Sequence, residues 1–146
     1  MRLNKATLFA LYAVLELAED RDRQIAAGDI AAKYGISLNH LAKVLRDLGR
    51  AGLVEAARGV GGGYRFVGNP KRVTLMDVIE IFEDIGAGKA AGDGQGPDTH
   101  LGQALHGVLA EIEDIARATL RSVTIETLLK HARSEPAAPA AAAADD

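Results

Sequence analysis

Cysteine is missing from all 146 residues. Without a thiolate the chain can hold no structural disulfide, no sulfur-based zinc site and no cysteine-ligated iron–sulfur cluster. Long apolar runs are missing as well, since no segment approaches the roughly 20 residues of a membrane span. The start, MRLNKATLFALYAVLELAEDRDR, has no small-residue cleavage site and turns charged by Glu16, so a soluble, cytoplasmic chain with no membrane partner is expected. A Gly-Lys-Ser/Thr phosphate motif is absent, and no nucleophile–histidine arrangement stands out. Asp77, Glu80, Glu83 and Asp84 are spaced as a solvated helix face rather than as a convergent acid/base pair. An enzyme is therefore not expected. The length suits one compact domain with an appendage.

What is present is uneven charge. Net charge is −3, but residues 1–72 hold 12 Lys and Arg against 7 Asp and Glu, a net of +5, and residues 73–146 hold 5 against 13, a net of −8. A basic half suits a polyanion, because neutralising phosphates releases counterions and supplies affinity without regard to sequence.

Apolar periodicity divides the chain into helices. Leu8, Leu11, Leu15 and Ala18, with Tyr12 beside them, predict an amphipathic helix from Asn4 to about Glu19. Gly28 to Tyr34 fits a short second helix with Gly35 as its left-handed stop. Ser37 is a good cap for a third, running to about Arg50 with Gly52 beyond it, and Leu38, Leu41, Leu45 and Leu48 form its expected buried stripe. Its other face carries Asn39, His40, Lys43, Arg46 and Arg50. Helix, tight turn, helix is the helix-turn-helix arrangement, whose second helix can lie in a DNA major groove. For His40 a phosphate or base contact is favoured over core packing. Thr74 caps a fourth helix, predicted to reach Ile85, with Leu75, Val78, Ile79, Phe82 and Ile85 as its apolar face. Residues 86–100, with five glycines and no periodicity, read as a mobile loop. Leu101, Leu105, Val108, Ile112 and Ile115 then repeat at spacings of four and three, a heptad-like seam that needs a partner. Residues 125–132 form a last short helix before a Pro/Ala-rich tail.

Between the third and fourth helices stands RGVGGGYRF, Arg58 to Phe66, flanked by strand-like LVEAAR and YRFVG. Three readings compete for it. A phosphate cradle needs a helix after the glycines and finds a strand. A plain hairpin turn needing positive φ fits. So does the tip of a winged helix-turn-helix, with Arg58 and Arg65 bracketing the glycines and a cation free to enter a minor groove.

These residues carry a family resemblance. ISLNHLAKVLRDLGRAGLVEAARGVGGGYRFVGNPKRVTLMDVIEIFE resembles the Rrf2 family of bacterial winged-helix transcription regulators in its S-x-N-H-L-x-K-V, L-x-x-x-G-L-V, R-G-x-x-G-G-Y and T-L-x-D-V-I motifs. With L-x-x-A-L and V-T-I-E-T-L-L further on, the resemblance covers about residues 1–131. Members include iron–sulfur regulators, nitric-oxide sensors and a cluster-free regulator of cysteine metabolism, and Asn39-His40 leans toward the nitric-oxide branch.

The resemblance implies a mainly α winged helix-turn-helix with a long C-terminal dimerisation helix. It implies a homodimer on double-stranded DNA at a palindromic operator. Residues carried over as DNA-binding are Ser37, Asn39, His40 and Lys43 on the recognition helix and Arg58, Gly59, Gly62, Gly63 and Tyr64 in the wing. Arg46 and Arg50 join them as phosphate contacts on physical grounds. The chain divides into residues 1–72 for DNA binding, 73–85 as a connecting helix, 86–100 as a flexible loop at the family's sensor position, 101–133 for dimerisation and the last helix, and 134–146 as a disordered tail.

The departure from the family is chemical. Cluster-binding members place three cysteines in or beside the loop after the fourth helix, and some add a carboxylate on the first helix where this chain has Leu8. Neither ligand set is here, so no iron–sulfur cofactor and no metal site are expected. His100 and His106 stand six apart, off a shared helical face. Reading His100 as a loop residue, His106 as solvent-facing and His131 as a C-terminal helix charge is favoured over a site joining His100 to a partner's carboxylate such as Asp98. The expected function is a transcription regulator, a repressor, answering a small-molecule or protein effector. Its rival is a protein-interaction module docking a metabolic enzyme through the acidic half, with DNA binding weak or lost.

Overall fold

The computed structural model describes residues 1–58, 61–85 and 98–135. Its elements are α1 (Lys5–Glu19), α2 (Ala27–Tyr34), α3 (Leu38–Arg50), β1 (Val54–Ala57), β2 (Gly63–Phe66), α4 (Leu75–Phe82), α5 (His100–Ser122) and α6 (Ile125–Ser134). The predicted loop over 86–100 and the predicted tail fall mostly outside the described residues. Within them His100 is already helical, and α6 runs on to Ser134.

Helix α1 is the axis of the core. Asn4 caps it, its side chain accepting the Thr7 N–H at 2.9 Å. The buried face is Ala10, Leu11, Ala13, Val14, Leu17 and Ala18; of the predicted row Leu11 and Ala18 are buried, whereas Leu8 is 38% exposed and Leu15 only half-buried. The reason is crowding. Helices α2, α3, α4 and α6 and strand β2 all pack on α1, and small alanines let several elements approach it closely. Around it gather Ile30 of α2, Leu41, Val44, Leu45 and Leu48 of α3, Val54, Phe66, Val78, Ile79, Ile125 and Leu129. Each large aliphatic side chain so buried stabilises the fold by about 1.5–3 kcal/mol.

Local signals set the helix-turn-helix. Gly35 sits at φ 66° and donates its N–H to the Ala31 carbonyl, ending α2. Ser37 Oγ accepts the His40 N–H at 3.4 Å and opens α3. Gly52, at φ 80°, follows the end of α3, where the Leu53 N–H reaches back to the Leu48 carbonyl at 3.1 Å. The stripe of α3 is Leu41, Val44, Leu45 and Leu48, because Leu38 is 52% exposed. Helix α2 docks on α1 through a stacked pair, Tyr12 on Tyr34, with centroids 4.6 Å apart. Beside that pair Glu16 accepts from Lys33 Nζ at 2.7 Å and from the Tyr34 hydroxyl.

Strands β1 and β2 pair antiparallel, from Val54 opposite Phe66 to Ala57 opposite Gly63. The chain entering α2 adds a third, shorter edge, as Ile25 and Tyr64 exchange backbone hydrogen bonds of 3.0 and 2.8 Å. A second backbone bridge joins Thr74 to Thr124, with the Leu75 N–H on the Val123 carbonyl and the Ile125 N–H on that of Val73, both at 2.9 Å. It ties α6 back into the core beside α1, so the parts of the sequence named for connection and dimerisation share one core with the first 72 residues.

Thr74 and Asp77 form a capping box at the start of α4. The helix stops at Phe82 rather than Ile85, and Glu83 is extended at φ −155°. Glu83 and Asp84 therefore leave the solvated face they were expected to share. The Glu83 carboxylate instead accepts the Asn4 N–H at 3.0 Å and the hydroxyl of Thr7. Thr7 is fully buried. Helix α5 buries no residue completely; Arg117 anchors it by donating to the Ile85 carbonyl at 2.8 Å. Among the described residues no helix is long and apolar enough to cross a membrane.

Candidate nucleic-acid interface

Turning α3 so that its leucines meet α1 leaves Asn39, Lys43, Arg46 and Arg50 on the outside, all exposed. Lys43 and Arg46 have no ion-pair partner among the described residues, and Arg50 lies 4.0 Å from Asp47, one turn earlier on its own helix. An exposed pair at that distance is worth little and leaves the guanidinium available. Ser37 stands exposed at the start of α3, its Oγ accepting the His40 N–H at 3.4 Å and its O–H still able to donate. His40 is different. It is half-buried, its ring packed in an edge-to-face contact with Phe9 of α1 at 4.9 Å between centroids.

The ribbon lies against the flank of α3. Ala42, Leu45, Arg46 and Gly49 line a shallow groove with Val54, Glu55, Ala56 and Tyr64. Tyr64 is thus a base to the wing, half-buried and held by its backbone to Ile25. Gly63 has a packing reason: a Cβ there would lie 2.6 Å from the carbonyl carbon and oxygen of Ile25. Gly61, at φ 76°, makes the turn, and Gly62 is half-buried beside it. Gly59 lies outside the described residues. Of the two arginines bracketing the tip, Arg65 pairs with Glu55 directly across the ribbon. Arg58 is exposed at the turn, and no carboxylate among the described residues partners it. On α3 and the wing, Lys43, Arg46 and Arg58 have no ion-pair partner among the described residues, and such uncompensated charge suits a polyanion.

The predicted seam on α5 is open. Leu101, Leu105, Val108, Ile112 and Ile115 are 80, 58, 54, 56 and 60% exposed. His106 is half-buried rather than solvent-facing, and His131 pairs with Glu135 at 2.9 Å. A cleft between the first residues, the end of α4 and α5 is lined by Arg2, Glu83, Ile85, Ile112 and Ala116. Sequence reasoning had no sign of it, because these residues are distant along the chain.

Among the described residues two side chains titrate abnormally. Burial alone would raise Glu16, but hydrogen bonds from Lys33 and Tyr34 and the charges of Lys33 and Arg23 outweigh it, holding the carboxyl below the usual range. Tyr34 is pushed well above a free phenol by burial and by the Glu16 carboxylate. Both belong to the α1–α2 contact, away from the outer face of α3.

Known proteins agree with this geometry. The chain is 62% identical over 132 residues to BadM of Rhodopseudomonas palustris, which carries the name of an HTH-type transcriptional regulator; the match spans 89% of this chain and 82% of BadM. Over 135 residues it is 30% identical to the HTH-type transcriptional regulator IscR of Xenorhabdus nematophila, across 90% of this chain and 80% of that protein. The structure of CymR, the global cysteine regulator of B. subtilis, superposes with a TM-score of 0.75 at 26% identity, covering 90% of this chain and 98% of CymR. The Rrf2 family model, described as an iron-dependent transcriptional regulator, matches residues 3–131. The iron of that description finds no thiolate in this sequence, and among the described residues no three His, Asp or Glu side chains group as metal ligands. In fold and in sequence the chain belongs to the Rrf2 family of transcriptional regulators.

Proposed function

We propose that the protein is a cytoplasmic, homodimeric repressor, not an enzyme, that binds a palindromic operator and works without an iron–sulfur cluster. Two copies pair along Leu101, Leu105, Val108, Ile112 and Ile115. Each copy lays α3 in a major groove with Asn39, His40 and Lys43 toward the bases, and Arg46 and Arg50 toward phosphates. The wing carries Arg58 into the adjacent minor groove. The observation that carries this reading is the uncompensated charge of Lys43, Arg46 and Arg58 on α3 and the wing, in a chain whose net charge is negative. An effector, small molecule or protein, controls its binding.

The test is a mobility-shift series over salt concentration with an operator selected by the wild-type protein. Arg58→Ala is expected to weaken binding and to lower the salt slope by about one phosphate equivalent, or to relax minor-groove preference. Affinity unchanged at every salt concentration would remove the wing from the interface. The open seam of α5 also suits the second reading, a docking face for a metabolic enzyme. Capture of such an enzyme by a protein that stays monomeric and enriches no DNA would favour it.

A further inference from the structure

Leu38 is the first residue of α3, and its exposure has no counterpart nearby. Among the described residues from Ala10 to Phe66 it is the only large hydrophobic side chain so exposed. A single exposed leucine is ordinary on a protein surface, so exposure alone decides nothing. Position decides. The two sites that pin a helix entry by apolar contact, one before the cap and one a turn inside, are taken by Ile36 and Leu41, both buried. Leu38 is not needed there.

At about 100° per residue, Leu38 lies one step from Asn39 on the outer row and one turn before Ala42. The groove between α3 and the ribbon begins at Ala42, and Leu38 lies beyond it, open at the amino-terminal end. That end of a recognition helix is the part that reaches base edges, while Arg46 and Arg50 further along meet phosphates. The apolar feature that a major groove presents at a base edge is the C5 methyl group of thymine.

From this, and resting on the DNA-binding reading above, we infer that Leu38 is a specificity residue that packs on a thymine methyl and favours a T·A pair at one position of each half-site. Asn39 beside it supplies the neighbouring hydrogen bonds, so one turn of helix reads two adjacent bases by different chemistry.

The experiment starts with full-length protein and a randomised duplex library, from which an operator is selected. Each thymine of that operator is then replaced singly by 2′-deoxyuridine, which deletes only the methyl group, and affinity is measured for wild type and for Leu38→Ala. At one thymine per half-site, deoxyuridine is expected to weaken the wild type about fourfold and to weaken Leu38→Ala no further. Circular dichroism melting of the variant should match the wild type. Deoxyuridine without effect at every position, or a loss of equal size in Leu38→Ala, would overturn the inference while leaving DNA binding intact. Equal weakening of Leu38→Ala on operator and on unrelated duplex would overturn it too. A library that enriches no sequence would instead overturn the DNA-binding reading on which it rests.

Discussion

Helices α3 and α5 carry the same sequence signature, large aliphatic residues three and four apart with charges between them, and meet opposite fates. On α3, Leu41, Leu45 and Leu48 are wholly buried against α1; on α5, the five seam residues stand more than half exposed. A helical stripe announces only that a face must be covered, not by what. For α3 the cover lies within the chain, and for α5 none is found among the described residues. The polar faces differ in the same sense, since α3 shows free cations while α5 shows Glu111 and Asp114 with Arg117 already engaged. One helix is finished on its apolar side and open on its polar side, and the other is the reverse.

Cutting the same kind of atoms from each helix is the strongest way to break that comparison. Leu45→Ala should cost about 3 kcal/mol of unfolding free energy, from lost burial and the cavity left behind. Ile112→Ala should change the stability of the isolated subunit by less than about 0.5 kcal/mol, yet raise the dimer dissociation constant by about thirtyfold, because each dimer loses two contacts. Urea unfolding and sedimentation equilibrium read the two effects separately. An Ile112→Ala variant that loses stability in the monomer, with no change in assembly, would mean that the seam belongs to the subunit's own core.

The joint between the two regions comes next in size. Glu83, where the chain leaves α4, accepts the N–H of Asn4 and the hydroxyl of buried Thr7 at the start of α1. Glu83→Ala removes the acceptor of the Asn4 N–H and one of the two acceptors of the Thr7 hydroxyl, which keeps Asn4 Oδ1 at 2.8 Å, and should cost about 1 kcal/mol. Thr7→Val alongside Glu83→Ala should cost less than the sum of the two single changes, since each removes the same Thr7–Glu83 bond. Additive losses in urea unfolding would show that the two side chains act separately.

These particulars explain how far the sequence could be read. The helix-turn-helix was legible because its punctuation is local: Gly35, Ser37 and Gly52 each do their work within four residues of their place in the chain. The open seam of α5 was legible for the same reason, periodicity within one helix. The buried face of α1 was legible only at Leu11 and Ala18, because the burial of Ala10, Ala13, Val14 and Leu17 follows from neighbours far along the chain. Leu38 was misplaced into the core by counting leucines at helical spacing, when the position belongs to Val44. Glu83 and Gly63 lay beyond reach altogether. One looked like another surface carboxylate and the other like a turn glycine, and only tertiary structure brings Thr7 to the first and the Ile25 backbone to the second.

The smallest effect sharpens the contrast between covered and open surfaces through pH. Glu16 sits between α1 and α2 with Lys33 and Tyr34 on its carboxylate, and its pKa is depressed in the folded protein. A depressed carboxyl contributes stability that is fully present above its unfolded pKa and is lost as pH falls through the folded value. Glu16→Gln should therefore cost about 1 kcal/mol at neutral pH, and the deficit should shrink as the solution is acidified below the usual carboxylate range. Glu126 offers the control, since its partner Lys130 lies 3.9 Å away on the same helix with most of its side chain in solvent. Glu126→Gln should cost less than about 0.5 kcal/mol at neutral pH. Equal acid limbs in wild type and Glu16→Gln would mean that the α1–α2 contact holds through the Tyr12–Tyr34 stack alone, with the carboxylate adding nothing to it.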